Sequence, residues 1–452
     1  MCYIEHAMTA INKKEPFVLS IGDITILVFS LWLTLVVRYH ALPDASFWQA
    51  HLLPFSFIFL YSIIIFYIAG LYGQYGEFFY AKTAVIIKSQ IVNILLAVAL
   101  FYFVPNFLVS PKTTLFIYFI ISSGLLFVWR IMVFYFLGTR KKSRAFVIGD
   151  GAEVEEMCKE MNANRRSSLE CVEVISSKTA SSSGFHTILS EKIEKEKISY
   201  IVLDINHESL DHLLPELYKT HFKDVHFIDI YHFYEGLFWR IPLSCLKYAW
   251  VLENISPTSP KAYDILKRSI DIILALILVV ITLILWPFVW LAIKLDDHGP
   301  AFIIQKRVGR NNRIIEMYKF RSMRASDGGK WLSENDDRVT RVGHFLRKSR
   351  IDELPQVWSV LKGDMSLIGP RPDIRDLGDA LAKEIPYYNI RTVIKPGLSG
   401  WAQVNQAKPP QSLDETKLRL SYDLFYIKNR SLWLDIRIAL RTIKTLLSLG
   451  GM

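Results

Sequence analysis

Four long segments with almost no charged residues occupy the first third of the chain, and they constrain its fold more than any other feature. The segments span residues 17–37, 52–73, about 86–104 and about 114–136. A helix of about 20 apolar residues crosses the roughly 30 Å hydrocarbon core of a bilayer. The sequence therefore predicts a bundle of four transmembrane helices over residues 1–140 and argues against a purely soluble enzyme.

Basic residues flank this bundle at both ends. Lys13 and Lys14 precede the first segment. The fourth segment is followed by Arg140, Lys141, Lys142 and Arg144. Because basic residues concentrate in cytoplasmic loops, we expect both ends of the bundle to face the cytoplasm.

Three ionisable residues lie within the apolar segments, Asp23, Lys88 and Arg130. Such residues mark either a transport pathway, packing inside a bundle or a position near the membrane surface. Because they are so few, we favour packing or an interfacial position.

Residues 141–252 alternate short β-rich runs with amphipathic stretches, which is typical of a parallel sheet in a Rossmann-like domain. The turn after the first predicted strand reads Gly149-Asp150-Gly151-Ala152-Glu153-Val154. Val154 replaces the third glycine of the dinucleotide-binding pattern, and Asp150 stands where a pyrophosphate would approach. We therefore favour a structural or regulatory domain over a nucleotide-binding one.

A fifth apolar segment, residues 272–293, contains Pro287. Basic residues lie on both sides of it, at Lys261, Lys267, Arg268, Lys294, Lys306, Arg307 and Arg310. Because proline removes a backbone hydrogen bond and both flanks favour the cytoplasm, we predict a re-entrant membrane helix over residues 270–295 that breaks at Pro287. The alternative is a fifth crossing that places the last third of the chain outside.

Most of the excess positive charge lies directly before a pair of carboxyl residues. The chain has a net charge of +10, and residues 294–350 hold 14 Lys or Arg against 7 Asp or Glu. Ser349 and Asp352 have the spacing of a capping box, which predicts that Asp352 and Glu353 lie at a helix N-terminus. The helix dipole and nearby arginines would keep a carboxylate there ionised at neutral pH, as a nucleophile or a Mg²⁺ ligand requires. Capping without catalysis is the alternative.

Two basic motifs accompany this carboxyl pair. Prolines on both sides restrict the backbone around Arg371, and a forked guanidinium in a stiff loop suits phosphate oxygens. Residues 318–323 predict a strand with Lys319 and Arg321 on one face. Either motif alone is compatible with an exposed strand edge or an ion pair, but together they indicate a phosphate site.

The last predicted helix, residues 432–447, has basic residues along one face, namely Arg437, Arg441 and Lys444. The helix is compatible with a position in the membrane interface, and equally with packing on the domain core with its basic face in water.

From Tyr263 onward the sequence resembles the bacterial sugar transferases, which are polyprenyl-phosphate hexose-1-phosphate transferases with a monotopic catalytic domain. The motifs that carry the resemblance are Lys267-Arg268 with Asp271, Gly299-Pro300, Gln305-Lys306-Arg307-Val308-Gly309, Tyr318-Lys319-Phe320-Arg321-Ser322-Met323, Asp352-Glu353-Leu354-Pro355-Gln356 and the segment from Lys362 to Pro372. The resemblance implies an α/β catalytic domain over residues 253–452. The predicted bundle and Rossmann-like domain upstream resemble the large form of this family.

The resemblance also implies a two-step reaction. Asp352 would attack the β-phosphate of a UDP-sugar, release UMP and carry the sugar phosphate as an acyl phosphate, which undecaprenyl phosphate would then accept. Asp352 and Glu353 would hold Mg²⁺, and Glu353 would support the metal or the incoming acceptor. The substrate phosphates would be bound by Arg371, Lys319, Arg321, Arg307 and Gln305.

This reaction would be the first membrane step of exopolysaccharide, capsule or O-antigen synthesis, at the cytoplasmic face of a bacterial inner membrane. Membrane lipids are further expected partners, nucleic acid is not, and a homo-oligomer is compatible with the sequence. Glucose, galactose and an N-acetylated hexose all stay open as the sugar. The alternative is an inactive membrane-anchored assembly or regulatory protein of the same fold, against which the intact Asp352, Glu353 and Arg371 argue.

Overall fold

The computed structural model describes residues 15–72, 79–103, 112–137, 142–164, 167, 169–182, 185–204, 215, 225–244, 246–256, 260–324, 338–406 and 408–447. The chain divides into two compact units, Met1–Leu237 and Phe238–Met452. The first contains apolar helices followed by an α/β region, and the second is a mixed α/β unit.

The first unit begins with four apolar helices, α1 (Glu15–Tyr39), α2 (Ala45–Ala69), α3 (Phe79–Phe103) and α4 (Lys112–Leu137). Helix α2 begins before the predicted apolar segment because the side chain of Asp44 accepts a hydrogen bond from the backbone N–H of Phe47 at 2.7 Å and caps the helix. Among the described residues, five helices are long and apolar enough to cross a membrane: these four and a later helix described below.

A buried ion pair joins α1 to α4. Asp23 is fully buried and lies 2.5 Å from the guanidinium of Arg130, and the Tyr72 hydroxyl donates a hydrogen bond to the same carboxylate at 2.7 Å. A charge in an apolar bundle is tolerated when it is paired in this way. The contacts of Asp23 and Arg130 therefore favour the packing interpretation of both residues.

The α/β region contains a four-stranded parallel sheet with the order β2-β1-β3-β4. Its strands and the helices that follow are β1 (Ser143–Ile148), α5 (Ala152–Ala163), β2 (Leu169–Ile175), α6 (Ser177–Ala180), α7 (Phe185–Glu196), β3 (Tyr200–Leu203), β4 (His226–Asp229) and α8 (Ile230–Phe238). The predicted parallel sheet is therefore present. In the turn after β1, the carboxylate of Asp150 accepts a hydrogen bond from the backbone N–H of Ser177 at 3.0 Å.

The second unit carries the motifs of the resemblance. Its elements are α9 (Tyr248–Asn254), α10 (Lys261–Asp297), β5 (Phe302–Val308), β6 (Ile314–Phe320), α11 (Arg341–Ser349), a 3₁₀ turn (Ile351–Gln356), α12 (Val357–Lys362), β7 (Ser366–Ile368), α13 (Arg375–Glu384), a second 3₁₀ turn (Tyr388–Thr392), β8 (Gly397–Ser399), α14 (Trp401–Asn405), α15 (Leu413–Lys428) and α16 (Leu432–Leu447). Strands β5 and β6 pair antiparallel, and β7 and β8 pair parallel.

Helix α10 is one continuous helix of 37 residues, and Pro287 lies inside it. The prediction that the helix breaks at Pro287 is therefore wrong, because helical residues continue on both sides of the proline. A proline removes one backbone hydrogen bond and crowds the carbonyl four residues earlier, while the turns on either side keep their own bonds. Pro287 thus disturbs the helix locally without ending it.

Both ends of α10 pack against the same unit. In its first half, Arg268 donates hydrogen bonds to the carbonyls of Val360 and Leu361, and Ala275 belongs to a buried cluster with Met317 and Met365. Towards its end, Val289 and Ile293 belong to a second cluster formed with neighbouring elements of the unit. The apolar side chains between these contacts are exposed, among them Leu276, Val280, Leu283, Ile284 and Phe288.

Arg437 and Arg441 of the terminal helix α16 contact aromatic rings of the unit, so the alternative with the basic face in water does not hold for these two residues. The guanidinium of Arg437 lies over the ring of Trp239, 4.3 Å from its centroid, and that of Arg441 lies 5.0 Å from the ring centroid of Trp401. These cation–π contacts turn both arginines towards the unit. The exposed large apolar side chains of the helix are Trp433, Ile436, Ile443 and Leu446.

Candidate active site

The carboxyl pair lies in a tight turn between two helices. Helix α11 ends at Ser349, and Arg350 adopts a left-handed conformation, with φ of 58°, that turns the chain into the 3₁₀ turn holding Asp352 and Glu353. The Ser349 hydroxyl donates a hydrogen bond to the carbonyl of Phe345 at 2.8 Å. The predicted capping box is therefore wrong, because Ser349 belongs to the last turn of the preceding helix. The carboxyl pair does lie in the first turn of a helix, but that helix is a 3₁₀ turn.

Glu353 lies among three cations. Its two carboxylate oxygens accept hydrogen bonds from the two terminal nitrogens of Arg371. The ammonium of Lys319 is 3.6 Å from the same carboxylate, and the guanidinium of Arg350 is 3.7 Å from it. Burial acts to raise the pKa of Glu353, but the charges of Arg371 and Lys319 outweigh it and hold that pKa well below its usual range. Glu353 is thus a fixed negative charge at neutral pH.

Asp352, the preceding residue, has a different environment. Only 7% of its surface is exposed, and its Oδ1 is buried without a hydrogen-bond partner among the described residues. Burial, followed by the charge of Glu353, raises the pKa of Asp352 to about 6, although the nearby cations oppose this. We expected the helix dipole and arginines to dominate, so the direction of this pKa shift was not anticipated. With a pKa near 6, Asp352 is still mostly ionised at pH 7.

Lys319 and Arg321 do not share a face. Strand β6 ends at Phe320, and the guanidinium of Arg321 turns to Asp297, 3.1 Å away, and to the carbonyl of Met323. Burial, with help from neighbouring cations, lowers the pKa of Lys319. The structure thus brings Lys319 to the carboxyl pair and gives Arg321 other partners, so the prediction of a common face is wrong.

Gln305 and Arg307 lie on β5 and contact each other. The guanidinium of Arg307 donates a hydrogen bond to the side-chain carbonyl of Gln305 at 2.7 Å and reaches the backbone carbonyl of Pro372 at 3.5 Å. Its charge also contributes to the lowered pKa of Lys319. Arg307 therefore connects β5 to the loop that carries Arg371.

The loop of Arg371 is held by close contact between two glycines. The N–H of Gly369 donates to the carbonyl of Ser399 at 2.8 Å, and the N–H of Gly397 donates to the carbonyl of Pro370 at 2.9 Å. A Cβ on Gly397 would lie 2.1 Å from the nitrogen of Gly369, so no larger residue fits there. The loop therefore approaches β8 closely before it turns to present Arg371.

Sequence reasoning missed a buried charged network behind this loop. It consists of Asp373, Tyr388, Arg391, Arg419 and Asp423, and both arginines donate hydrogen bonds to the backbone carbonyl of Arg371. A signal for it exists in α15, where Asp423 has the helical spacing of the buried residues Leu420, Leu424 and Ile427. A carboxylate on the apolar face of a helix predicts a buried partner.

A cavity of about 260 Å³ lies beside Arg371. The loop residues 370–373 form one wall, and the other walls include Asn312, Arg375, Asn389 and Thr392. Arg371 therefore lines this cavity and also contacts the carboxyl pair through Glu353.

The predicted Mg²⁺ site fits Asp352 better than Glu353. The described residues contain no group of three or more His, Cys, Asp or Glu side chains arranged to hold a metal ion. Mg²⁺ commonly uses one or two protein carboxylates together with substrate phosphates. The unpartnered Oδ1 of Asp352 suits this role, whereas both oxygens of Glu353 already bind Arg371.

Residues 262–449 match the family model described as bacterial sugar transferase. The exopolysaccharide production protein PSS of Rhizobium leguminosarum bv. phaseoli is 38% identical to the chain over 194 residues, which cover 41% of this chain and 97% of that protein. The chain belongs to the bacterial sugar transferase family.

Two relatives that are longer than the Rhizobium protein carry more specific names. The UDP-N-acetylgalactosamine-undecaprenyl-phosphate N-acetylgalactosaminephosphotransferase of Aeromonas hydrophila is 46% identical over 189 residues, which cover 41% of this chain and 44% of that protein. The undecaprenyl-phosphate glucose phosphotransferase of Komagataeibacter xylinus is 31% identical over 346 residues, which cover 71% of this chain and 63% of that protein. This sugar transferase thus matches less than two thirds of the length of each.

Proposed function

We propose that the protein transfers a sugar 1-phosphate from a UDP-sugar to undecaprenyl phosphate and releases UMP. The observation that carries this proposal is the difference between the surroundings of two adjacent carboxyl groups. Glu353 is bound by Arg371 and lies near two further cations, while Asp352 has an oxygen without a partner among the described residues. A free carboxylate beside a cationic cluster suits attack on a phosphate. The names of the relatives from Aeromonas and Komagataeibacter support the same chemistry.

In the first step, a carboxylate oxygen of Asp352 attacks the β-phosphorus of the donor. The bond from this phosphorus to the bridging oxygen breaks, and its electron pair leaves with UMP. The product is an acyl phosphate that joins the carboxyl group of Asp352 to the phosphate of the sugar phosphate. Lys319 and Arg371, whose charges act on Asp352, stabilise the negative charge that develops on the phosphate and leaving oxygens.

In the second step, a phosphate oxygen of undecaprenyl phosphate attacks the same phosphorus. The acyl phosphate bond breaks, Asp352 regains its carboxylate, and the sugar diphosphate lipid is released. Mg²⁺, when bound, would neutralise the charge of the donor diphosphate before the first step, with one oxygen of Asp352 as its protein ligand and the other left to attack. Glu353 holds Arg371 and Lys319 in place throughout, because its charge is what attracts them.

The catalytic unit acts on the cytoplasmic surface of the inner membrane. We place the middle of α10 in one leaflet, as a re-entrant helix that bends at Pro287, because residues before and after that proline contact the same unit while the apolar residues between them are exposed. A proline can bend a helix without ending it, and a helix that bends inside the membrane can return to the side from which it entered. The exposed apolar side chains of α16 form a second surface suited to the membrane interface.

The test is an assay of the full-length protein in nanodiscs with UDP-sugar, undecaprenyl phosphate and Mg²⁺. UDP-glucose, UDP-galactose and UDP-N-acetylgalactosamine would be compared, and UMP would be measured. We expect UMP release with at least one donor and formation of the lipid-linked sugar. Absence of UMP with a broad panel of UDP-sugars would favour the inactive assembly or regulatory protein.

A further inference from the structure

Arg371 is held at its backbone as well as at its side chain. Its carbonyl oxygen accepts a hydrogen bond from Arg391 at 2.9 Å and another from Arg419 at 2.8 Å. The guanidinium on the same residue binds Glu353. The backbone contacts and the side-chain contact together set the direction in which Arg371 points.

The two arginines that hold this carbonyl are themselves fixed by carboxylates. Arg391 binds Asp373 through one terminal nitrogen and lies 2.8 Å from Asp423 through the other. Arg419 lies 3.3 Å from Asp373. Two arginines and two aspartates make the group neutral in sum.

Tyr388 completes this network. Its hydroxyl donates to Asp373 at 2.7 Å and accepts from Arg391 at 2.8 Å. Arg391 and Asp423 are 5% and 1% exposed, so nearly all of these contacts are removed from water. Buried ion pairs contribute little net stability, because desolvation offsets much of their attraction, but they restrict geometry strongly.

We propose that Arg391 is a positioning residue that, together with Arg419, orients Arg371 towards Glu353 and thereby towards the donor phosphate. The inference rests on the proposed function. Pro370 and Pro372 lack backbone N–H groups, so the loop has few hydrogen-bond donors of its own and depends on donors from outside. The guanidinium of Arg391 can bind Asp373, Asp423 and the Arg371 carbonyl at once because its five N–H groups point in different directions.

The variant Arg391→Lys tests this role with limited damage to folding. A lysine keeps the positive charge and pairs with one aspartate, but a single ammonium cannot span all three acceptors. The matched control is Arg430→Lys, because Arg430 also donates to a backbone carbonyl, that of Ser256, at 2.8 Å. We expect both variants to stay folded at the assay temperature, with a lower thermal unfolding midpoint for Arg391→Lys because buried acceptors lose a donor, and Arg391→Lys alone to lower kcat for UMP release at least tenfold.

A double-mutant cycle with Arg371→Lys separates positioning from an independent effect. If Arg391 acts through Arg371, Arg391→Lys lowers kcat less than threefold further once Arg371 is already lysine. An undiminished tenfold loss in that background would overturn the proposal and show that Arg391 acts separately, for example through the cavity that it lines.

A second cycle needs no substrate and therefore does not depend on the proposed function. Thermal unfolding of Arg371→Lys, Glu353→Gln and the double variant gives the coupling between Arg371 and Glu353. We expect this coupling to shrink by at least half when Arg391 is lysine, and an unchanged coupling would refute the positioning role. If the wild-type protein released no UMP, the proposed function would fail, while this cycle would still decide the role of Arg391.

Discussion

Asp352 and Glu353 are neighbours in the chain, yet their pKa values shift in opposite directions. Burial and the adjacent charge raise the pKa of Asp352 to about 6, whereas Arg371 and Lys319 overcome burial and lower that of Glu353. The difference follows from position: the 3₁₀ turn directs Glu353 into the cations and leaves one oxygen of Asp352 without a hydrogen bond. The negative charge of Glu353 is thus balanced by cations, while Asp352 keeps one oxygen that has no hydrogen-bond partner among the described residues.

Asp352→Asn should abolish both UMP release and the sugar-phosphate adduct on the protein, because an amide is a poor nucleophile and forms no acyl phosphate. The adduct would be sought by intact mass spectrometry after brief exposure to the UDP-sugar without acceptor. Glu353→Gln should still form the adduct but more slowly. Near-normal turnover by Asp352→Asn would exclude covalent catalysis by this residue.

Asp352→Asn should be more stable against unfolding than the wild type at high pH. The pKa of Asp352 is above its usual 3.8 in the folded protein, so its contribution to stability is present below about pH 4 and is lost as pH rises through about 6. The shift corresponds to on the order of 2 to 3 kcal/mol. Asp352→Asn should therefore raise the thermal unfolding midpoint more at pH 8 than at pH 5. An equal change at both pH values would contradict the raised pKa.

Single-turnover UMP release should increase as the pH rises, with a midpoint at or below about 6, because only ionised Asp352 attacks the donor and a bound Mg²⁺ favours the ionised form. In Glu353→Gln the midpoint should fall, since the variant removes a negative charge that raises the pKa and leaves Lys319, Arg350 and Arg371 to lower it. The measurement is a pH profile of both proteins at saturating donor. A midpoint that moves upward in the variant would rule out this electrostatic arrangement.

Arg371→Lys should lower kcat/KM for the UDP-sugar about 10- to 100-fold, because lysine cannot reproduce the two-nitrogen contact with Glu353. The control is Arg321→Lys, since Arg321 pairs with Asp297 instead. We expect that control to change kcat/KM less than threefold. Equal activity of Arg371→Lys and wild type across donor concentrations would assign Arg371 a structural role.

The topology of α10 can be tested with single cysteines in a background without the four native ones. Ser269→Cys and Lys348→Cys, on either side of the apolar segment, should both be protected from a membrane-impermeant thiol reagent in intact cells and labelled after lysis. Ala41→Cys, between α1 and α2, should be labelled in intact cells and serves as the control. Labelling of Lys348→Cys without lysis would establish a crossing and place the carboxyl pair on the outer side of the membrane, away from the cytoplasm.

The elements of this protein were predictable where local physics decides them. The length and apolarity of the N-terminal segments locate the first helices, and the alternation of β-rich and amphipathic stretches indicates the parallel sheet. The ordered motifs that contain Asp352, Glu353, Lys319 and Arg371 indicate the family of the chain. Each of these inferences depends on residues close together in the chain, where periodicity and spacing carry the information.

The partners of the charged groups were decided by the tertiary structure. Lys319 and Arg321 have the spacing of residues on one face of a strand, but β6 ends between them. Lys319 therefore lies near Glu353, and Arg321 pairs with Asp297. Arg391 and Asp423 lie 32 residues apart and meet in the buried network behind Arg371. Coulomb attraction and desolvation depend on distance in space and on the exclusion of water, and neither quantity exists until the chain is folded.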